Sequence, residues 1–382
     1  MMKKLISIVG VRPQFVKAAM ICAAVNGHNQ KQARENRIQH LLLHTGQHYD
    51  YEMAAVFFQQ LPLPEPDFNL GVGSGSHGAQ TATMLKGIEK VLLKEKPDCV
   101  IVYGDTNSTL AGALAAVKLH IPTAHVESGL RSFNRVMPEE INRIATDHVS
   151  DLLFCPTKAA VQLLAKEGIR QNVYFSGDVM LDAVKAFAPV AAKRSVILNT
   201  LGVAPAKFIL TTIHRAENTD SLERMRGLVE TLCRVQQPII FSVHPRLREK
   251  LNHEAGYQKL GKQLAQAAHL KMVAPLSYLD MLHLESKARL IMTDSGGVQK
   301  EAYFVGTPCL TLRDETEWTE TLQDGWNHLA GASPEKVLPL VRSLWTGPLP
   351  ETKPALAGFG NGKAAGNIVN SLLELQATKK AS

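Results

Sequence analysis

Residues 100–143 read VIVYGDTNSTLAGALAAVKLHIPTAHVESGLRSFNRVMPEEINR. Two apolar strands, 99–103 and 122–126, flank a helix built of small residues. Each strand stops at a carboxylate, Asp105 after the first and Glu127 after the second. Open α/β sheets keep their ligand crevice beyond the carboxyl ends of parallel strands. The next helix opens with Pro138-Glu139-Glu140. Proline suits a first helical position because its missing N–H would be unpaired there. Glu139 and Arg143 are four residues apart and share a face. Asp105, Glu127 and Glu139 therefore converge with Arg131 and Arg143 on one rim. Any one of them reads equally well as a cap or a surface ion pair; the convergence points to an active site.

Around this stretch, 382 residues are enough for two domains of ordinary size. Lys and Arg total 42 against 35 Asp and Glu, a net charge of +7 that suits an anionic partner. The basic residues are scattered, with no aromatic-interleaved patch, so a small anionic ligand is expected and nucleic acid is not. The five cysteines (Cys22, Cys99, Cys155, Cys233, Cys309) form no C-x-x-C pair and sit mostly in apolar stretches. They read as reduced core residues of a cytoplasmic protein. The apolar run from Leu5 is broken by Arg12 and Lys17, too short for a signal segment or a membrane span.

Residues 4–9 form an apolar strand, followed by Gly10-Val11-Arg12-Pro13-Gln14 and a helical pattern from Phe15. A glycine turn before a helix N-terminus is a natural anion site, to which Arg12 and Lys17 add charge; a plain helix start is the competing reading. Residues 38–44 form the second strand, and 45–50 its loop. Gly73-Ser74-Gly75-Ser76-His77-Gly78 spells G-x-G-x-x-G but follows Pro64-Glu65-Pro66-Asp67. A dinucleotide fingerprint needs strand, turn and helix in sequence, so no redox cofactor is inferred from it. It reads as a loop before a helix over 79–95.

Strands are expected at 151–156 and 172–177, and a helix at 179–187. A weakly periodic stretch over 188–206 marks the domain boundary. The second half restarts the alternation. Its strand at 207–213 ends at His214-Arg215, and that at 238–243 ends at His244-Pro245-Arg246. Two strands ending in histidine beside arginine suggest phosphate or substrate contact. The strand at 290–293 leads into Asp294-Ser295-Gly296-Gly297, whose N–H groups could receive a diphosphate at the helix dipole, with Glu301 in reach of ribose hydroxyls. Residues 308–312 are the last clear core strand, followed by Arg313, and 364–375 has the spacing of an amphipathic helix. Two doubly wound α/β halves with ligand-like strand ends imply a nucleotide-linked ligand in a central cleft.

Several motifs in a fixed order now become specific: GVRPQFVK, TGQHYD, GDTNSTLAG, HVESGLRSFN, MPEEINR, IHRAEN, TDSGGVQKEA and RDETEW. Together the chain resembles the non-hydrolysing UDP-N-acetylglucosamine 2-epimerases, which have a glycosyltransferase-B-like fold. The resemblance implies domains at 1–187, completed by a crossing helix at 364–382, and 188–363, the latter binding UDP. It implies a UDP-sugar substrate, a cytoplasmic homodimer, no cofactor and no membrane contact. The reaction would be reversible inversion at C2 through loss of UDP, an enzyme-held 2-acetamidoglucal, and return of UDP. Acid/base candidates fall on Asp105, Glu127, Glu139 and His214. Crowding of the carboxylates is expected to hold one of them protonated. Arg12, Lys17 and Arg143 match positions near the diphosphate and sugar. His244, Ser295, Gly296, Gly297, Glu301 and Arg313 complete the expected UDP site.

Two departures stand out. Many bacterial relatives hold an activating UDP-N-acetylglucosamine through a second glutamine in the QH loop and an arginine before the long helix. Here only Gln47, His48, Arg215 and His244 match, implying weak or absent activation. Trp318 stands where many members have arginine, a form also similar to relatives acting on UDP-2,3-diacetamido-2,3-dideoxyglucuronate.

Overall fold

Strand β1 (Lys4–Val9) is buried along nearly its whole length, as is β4 (Cys99–Tyr103). A strand covered by helices on both faces has no polar side to present, so its sequence reads as one apolar run. The computed structural model describes residues 3–47, 61–350 and 352–379, the side chains of 375–379 excepted. The chain divides into two units, Met1–Ala183 with Leu356–Ser382, and Val184–Ala355.

In the first unit the remaining strands are β2 (Gln39–His44), β3 (Phe68–Asn69), β5 (Thr123–Val126), β6 (Leu152–Cys155) and β7 (Val173–Phe175). Among the described residues they form a seven-stranded parallel sheet in the order β3-β2-β1-β4-β5-β6-β7. The order reverses between β1 and β4, so the switch point of a doubly wound sheet lies beyond Val9 and Tyr103. Helix Asn107–Lys118 follows β4 and packs tightly on the sheet because its buried face is made of alanine and glycine. A Cβ on Gly112 would lie 3.0 Å from both Ile8 and Val102 side chains. The helix Ala364–Lys379 packs on helix Arg12–Asn29, and Asp182 accepts from the backbone N–H groups of Ala364 and Ala365.

The second unit repeats the plan with β8 (Ile209–Ile213), β9 (Ile239–Val243), β10 (Leu270–Val273), β11 (Leu290–Thr293), β12 (Cys309–Thr311) and β13 (Asn327–Leu329). Among the described residues its six parallel strands run β10-β9-β8-β11-β12-β13, which puts the switch point between the ends of β8 and β11. Both units thus have the doubly wound α/β architecture that glycosyltransferase-B-like proteins use.

Several boundaries differ from the sequence reading. The first helix starts at Arg12 rather than Phe15, with Pro13 in its first turn. The helix expected to end at Phe187 runs from Val179 to Arg194 through Pro189. Burial of Phe187 and Ala191 outweighs the roughly 3 kcal/mol that an interior proline costs. The division between units falls within this helix, at Ala183, not in the stretch after it. Strand β12 is the last fully buried strand, and one further strand, β13, follows it at the sheet edge. Strands β10 and β13 lie at sheet edges and are partly exposed, which removes the apolar run that marks a central strand. The glycine-rich loop does follow a strand, the two-residue β3, but at the sheet edge, and its helix begins at His77, inside the motif.

Candidate active site

At the first switch point, Gln14 ties the two strand ends together. Its carbonyl accepts from the N–H of Gly10 at 2.7 Å, and its amide donates to the carbonyl of Tyr103 at 2.7 Å. The chain then turns at Gly104, φ +63°, where a Cβ would lie 3.1 Å from a Glu127 carboxylate oxygen. This close approach brings the turn that carries Asp105 against Glu127.

Each of these two carboxylates has a cation beside it. Arg143 Nη1 lies 2.6 Å from Asp105 Oδ2, and Lys17 Nζ pairs with Glu127 Oε2. Opposite charges thus meet at both strand ends. The Arg143 side chain is 1% exposed while that of Asp105 is 27% exposed, so the cation is fixed and the acid faces outward. Asn142 donates to the Asp105 backbone carbonyl at 2.9 Å and holds the turn from the other side.

Glu140 is a helical partner of Arg143. Its Oε2 accepts from Arg143 Nε at 3.1 Å and Nη2 at 2.7 Å, while the carboxylate also receives the N–H groups of Ser132 and Phe133. Burial would raise the Glu140 pKa, but the Ser132 N–H and the Arg143 guanidinium outweigh it and hold the carboxyl below its usual range. Glu139 is partly buried in the first turn of helix Pro138–Val149. Arg131 does not join this rim. Its guanidinium is buried between Asp147 and Glu167, at 2.7 Å from each. Arg12 stands at the start of helix Arg12–Asn29. Gln47 accepts from Ser108 N–H and Oγ at 3.1 and 2.7 Å, and His48 lies outside the described residues.

At the switch point of the second unit, Asp294 plays the part of Gln14. Its carboxylate accepts from the backbone N–H groups of His214 and Arg215 at 3.0 Å each, and from the Asn218 amide at 3.0 Å. His214 Nδ1 lies 3.4 Å from the same carboxylate, and its ring stands 5.9 Å from that of His244. His244 caps helix Pro245–His253, its Nδ1 accepting from Arg246 N–H. A neutral His244 ring therefore carries its hydrogen on Nε2.

Ser295 caps helix Gly296–Val305 by accepting from Val298 N–H, which leaves the Gly296 and Gly297 N–H groups in the first turn, where anions bind. A Cβ on Gly296 would come within 2.6 Å of Glu317 Oε1 and 3.1 Å of Trp318 Nε1. Arg313, expected among the ligand contacts, is fully buried and pairs with Glu317 at 2.9 Å. Arg215 lies 3.8 Å from the same glutamate. Arg313 thus braces the floor of the loop. Glu301 is buried against Tyr278 and Glu285. Lys300 places its ammonium 3.7 Å above the Trp318 ring.

Sequence reasoning missed Gln14, Glu140, Asn142, Asn218, Asp294 and Glu317. Glu140 and Glu139 stand at i,i+3 and i,i+4 from Arg143, so both lie within its helical reach. Asp294 had a visible signal, an acid at the end of a central strand. Among the described residues no His/Cys/Asp/Glu cluster could hold a metal ion, and no helix is long and apolar enough to cross a membrane.

The family model described as UDP-N-acetylglucosamine 2-epimerase matches residues 30–373. A Methanococcus maripaludis protein named UDP-N-acetylglucosamine 2-epimerase homolog is 48% identical, the match covering 97% of this chain and 100% of that one. A Pseudomonas aeruginosa protein named UDP-2,3-diacetamido-2,3-dideoxy-D-glucuronate 2-epimerase is 43% identical, covering 97% and 100%. The crystal structure of the Methanocaldococcus jannaschii UDP-GlcNAc 2-epimerase, in complex with UDP-GlcNAc and UDP, superposes with a TM-score of 0.89 at 43% identity, covering 97% and 99%. With the doubly wound units and their strand-end acids, these likenesses show that the chain belongs to the UDP-N-acetylglucosamine 2-epimerase family.

Proposed function

We propose that this protein interconverts UDP-N-acetylglucosamine and UDP-N-acetylmannosamine in the cytoplasm, for surface polysaccharide synthesis. The C2 hydrogen has no carbonyl beside it, so direct abstraction is difficult. In the proposed route a base takes that hydrogen as a proton while the bond from C1 to the UDP oxygen breaks. A C1–C2 double bond forms, giving 2-acetamidoglucal and UDP. UDP then bonds again to C1, and an acid delivers a proton to the opposite face of C2. The route consumes no oxidant or reductant.

Asp105, Glu127, Glu139 and His214 are the proposed proton carriers. Arg12, Lys17 and Arg143 supply fixed positive charge for the departing diphosphate. The N–H groups of Gly296 and Gly297, with the Ser295 hydroxyl and the His244 ring, hold UDP, and Glu301 its ribose. The observation that carries this reading is the pair Asp105 and Glu127 at adjacent strand ends, each set against its own cation.

The second reading keeps the reaction and changes the sugar to UDP-2,3-diacetamido-2,3-dideoxyglucuronate; the Pseudomonas aeruginosa relative and the Trp318 form support it. Incubation with each sugar in D2O, followed at C2 by NMR, tests both. Deuterium at C2 and a new nucleotide sugar are expected with UDP-N-acetylglucosamine. Free N-acetylmannosamine with UDP, or turnover that waits for an acceptor, would overturn the reading. Because the expected activator contacts are incomplete, initial rates with UDP-N-acetylmannosamine should be hyperbolic. Sigmoidal rates abolished by a trace of UDP-N-acetylglucosamine would contradict this. A homodimer in sedimentation equilibrium is expected.

A further inference from the structure

Behind the acids lies a charged group that the reaction does not touch. His125 and Asp147 are both fully buried. His125 Nδ1 stands 2.7 Å from Asp147 Oδ1, and Nε2 stands 2.7 Å from the backbone carbonyl of Gly104. A carbonyl can only accept, and so can an ionised carboxylate. Asp147 is kept ionised: burial raises its pKa, but His125 and Arg131 outweigh this and lower it. The ring therefore bridges the Asp147 carboxylate and the Gly104 carbonyl, with Nε2–H donating to the carbonyl.

The second carboxylate oxygen, Asp147 Oδ2, accepts from Gly129 N–H at 3.1 Å and from Arg131 Nη1 at 2.7 Å. Arg131 in turn binds Glu167 through two parallel hydrogen bonds of 2.7 Å. The network thus runs His125, Asp147, Arg131, Glu167, and its two carboxylates draw Arg131 away from the rim.

What this row holds is specific. Gly104, at φ +63°, immediately precedes Asp105. Glu127 lies between His125 and Gly129 and is itself left-handed, at φ +73°, a conformation that only a strongly constrained non-glycine residue keeps. Gly129 follows at φ +80°. The ring of His125 fixes one turn through the Gly104 carbonyl. The carboxylate it holds fixes the other through Gly129.

We propose that His125 and Asp147 are the positioning residues of the reaction: a doubly hydrogen-bonded imidazole spans from Asp147 to Gly104 and sets the two strand-end turns that present Asp105 and Glu127. This rests on the reading of those two acids as proton carriers. A displacement of about 1 Å at such groups lowers turnover roughly 100-fold.

His125→Gln can donate to only one of the two acceptors, because its other terminal atom is an oxygen. The expected result is kcat per UDP-binding site lowered at least about 100-fold, with UDP affinity close to wild type. Ile88→Ala, a buried core truncation in the same unit, is the control for lost stability. It should leave kcat per site near wild type. If His125→Gln turns over like Ile88→Ala, the positioning role is overturned.

A second measurement needs no variant and no turnover. In uniformly 15N-histidine-labelled wild-type protein, one buried ring should be hydrogen-bonded at both nitrogens, its Nε2–H coupled to a backbone carbonyl and protected from solvent exchange. Absence of any such ring overturns the proposal whatever the enzyme's substrate. Conversely, a wild-type protein that shows this ring but epimerises no UDP-sugar refutes the functional reading and leaves the strut intact.

Discussion

Arg143 Nη1 lies 2.6 Å from Asp105 Oδ2, and the Arg143 side chain is almost wholly buried while the acid is not. The guanidinium therefore cannot follow a moving carboxylate into solvent. It fixes where Asp105 stands and stabilises its charged form.

Asp105→Asn preserves shape and removes both charge and basicity. Turnover should fall by about 10²–10⁴-fold, the usual contribution of a positioned acid or base. UDP affinity by calorimetry should change less than about threefold, since a threefold change is well under 1.4 kcal/mol. Lost UDP affinity with turnover preserved would contradict the assignment.

Glu140→Ala strips a buried guanidinium of a carboxylate partner, a change that typically costs about 3–5 kcal/mol. Thermal unfolding should shift down by roughly 10 °C. In the wild type the folded Glu140 pKa is lowered, so the unfolded chain takes up the proton first as pH falls. The stability it contributes is present above the ordinary glutamate pKa of about 4.3 and is lost as pH drops through the folded value. Glu140→Gln should unfold with a shallower acid limb in a pH series of denaturation curves.

Gly296→Ala places a methyl group 2.6 Å from Glu317 Oε1. Relief requires Glu317 to move, which disturbs its ion pair with the buried Arg313. A cost of about 1–3 kcal/mol is expected for such overpacking, so UDP should bind roughly tenfold or more weakly. Unchanged affinity in a UDP titration would show that the loop does not hold the diphosphate.

Glu285→Gln tests a buried carboxyl in the second unit. Burial, and then the neighbouring Glu301 carboxylate, raise the Glu285 pKa well above its usual range. The folded state keeps this proton after the unfolded chain has released it, so stability falls as pH rises above the ordinary glutamate range. Glutamine has no proton to lose. Relative to wild type, the variant should gain stability from about pH 5 to about pH 8. Parallel urea curves at the two pH values would show the opposite of what this burial implies.

The sequence determined the strand ends and the kind of chemistry placed there. Apolar runs buried on both faces are legible because no exposed face interrupts them, and each central run stops at its turn. Asp105, Glu127, His214 and Ser295 could all be found this way. Edge strands β10 and β13 could not, because they are short and broken by Lys271 in one and Asn327-His328 in the other. Nor could sequence reveal that Arg143 pairs with both Glu140 and Asp105, or that Arg131 belongs to Asp147. The pairings with Asp147 and Asp105 join side chains 16 and 38 residues apart along the chain. Only the tertiary structure decided them, because burying a charge is tolerated only where folding delivers its counter-charge within hydrogen-bond distance.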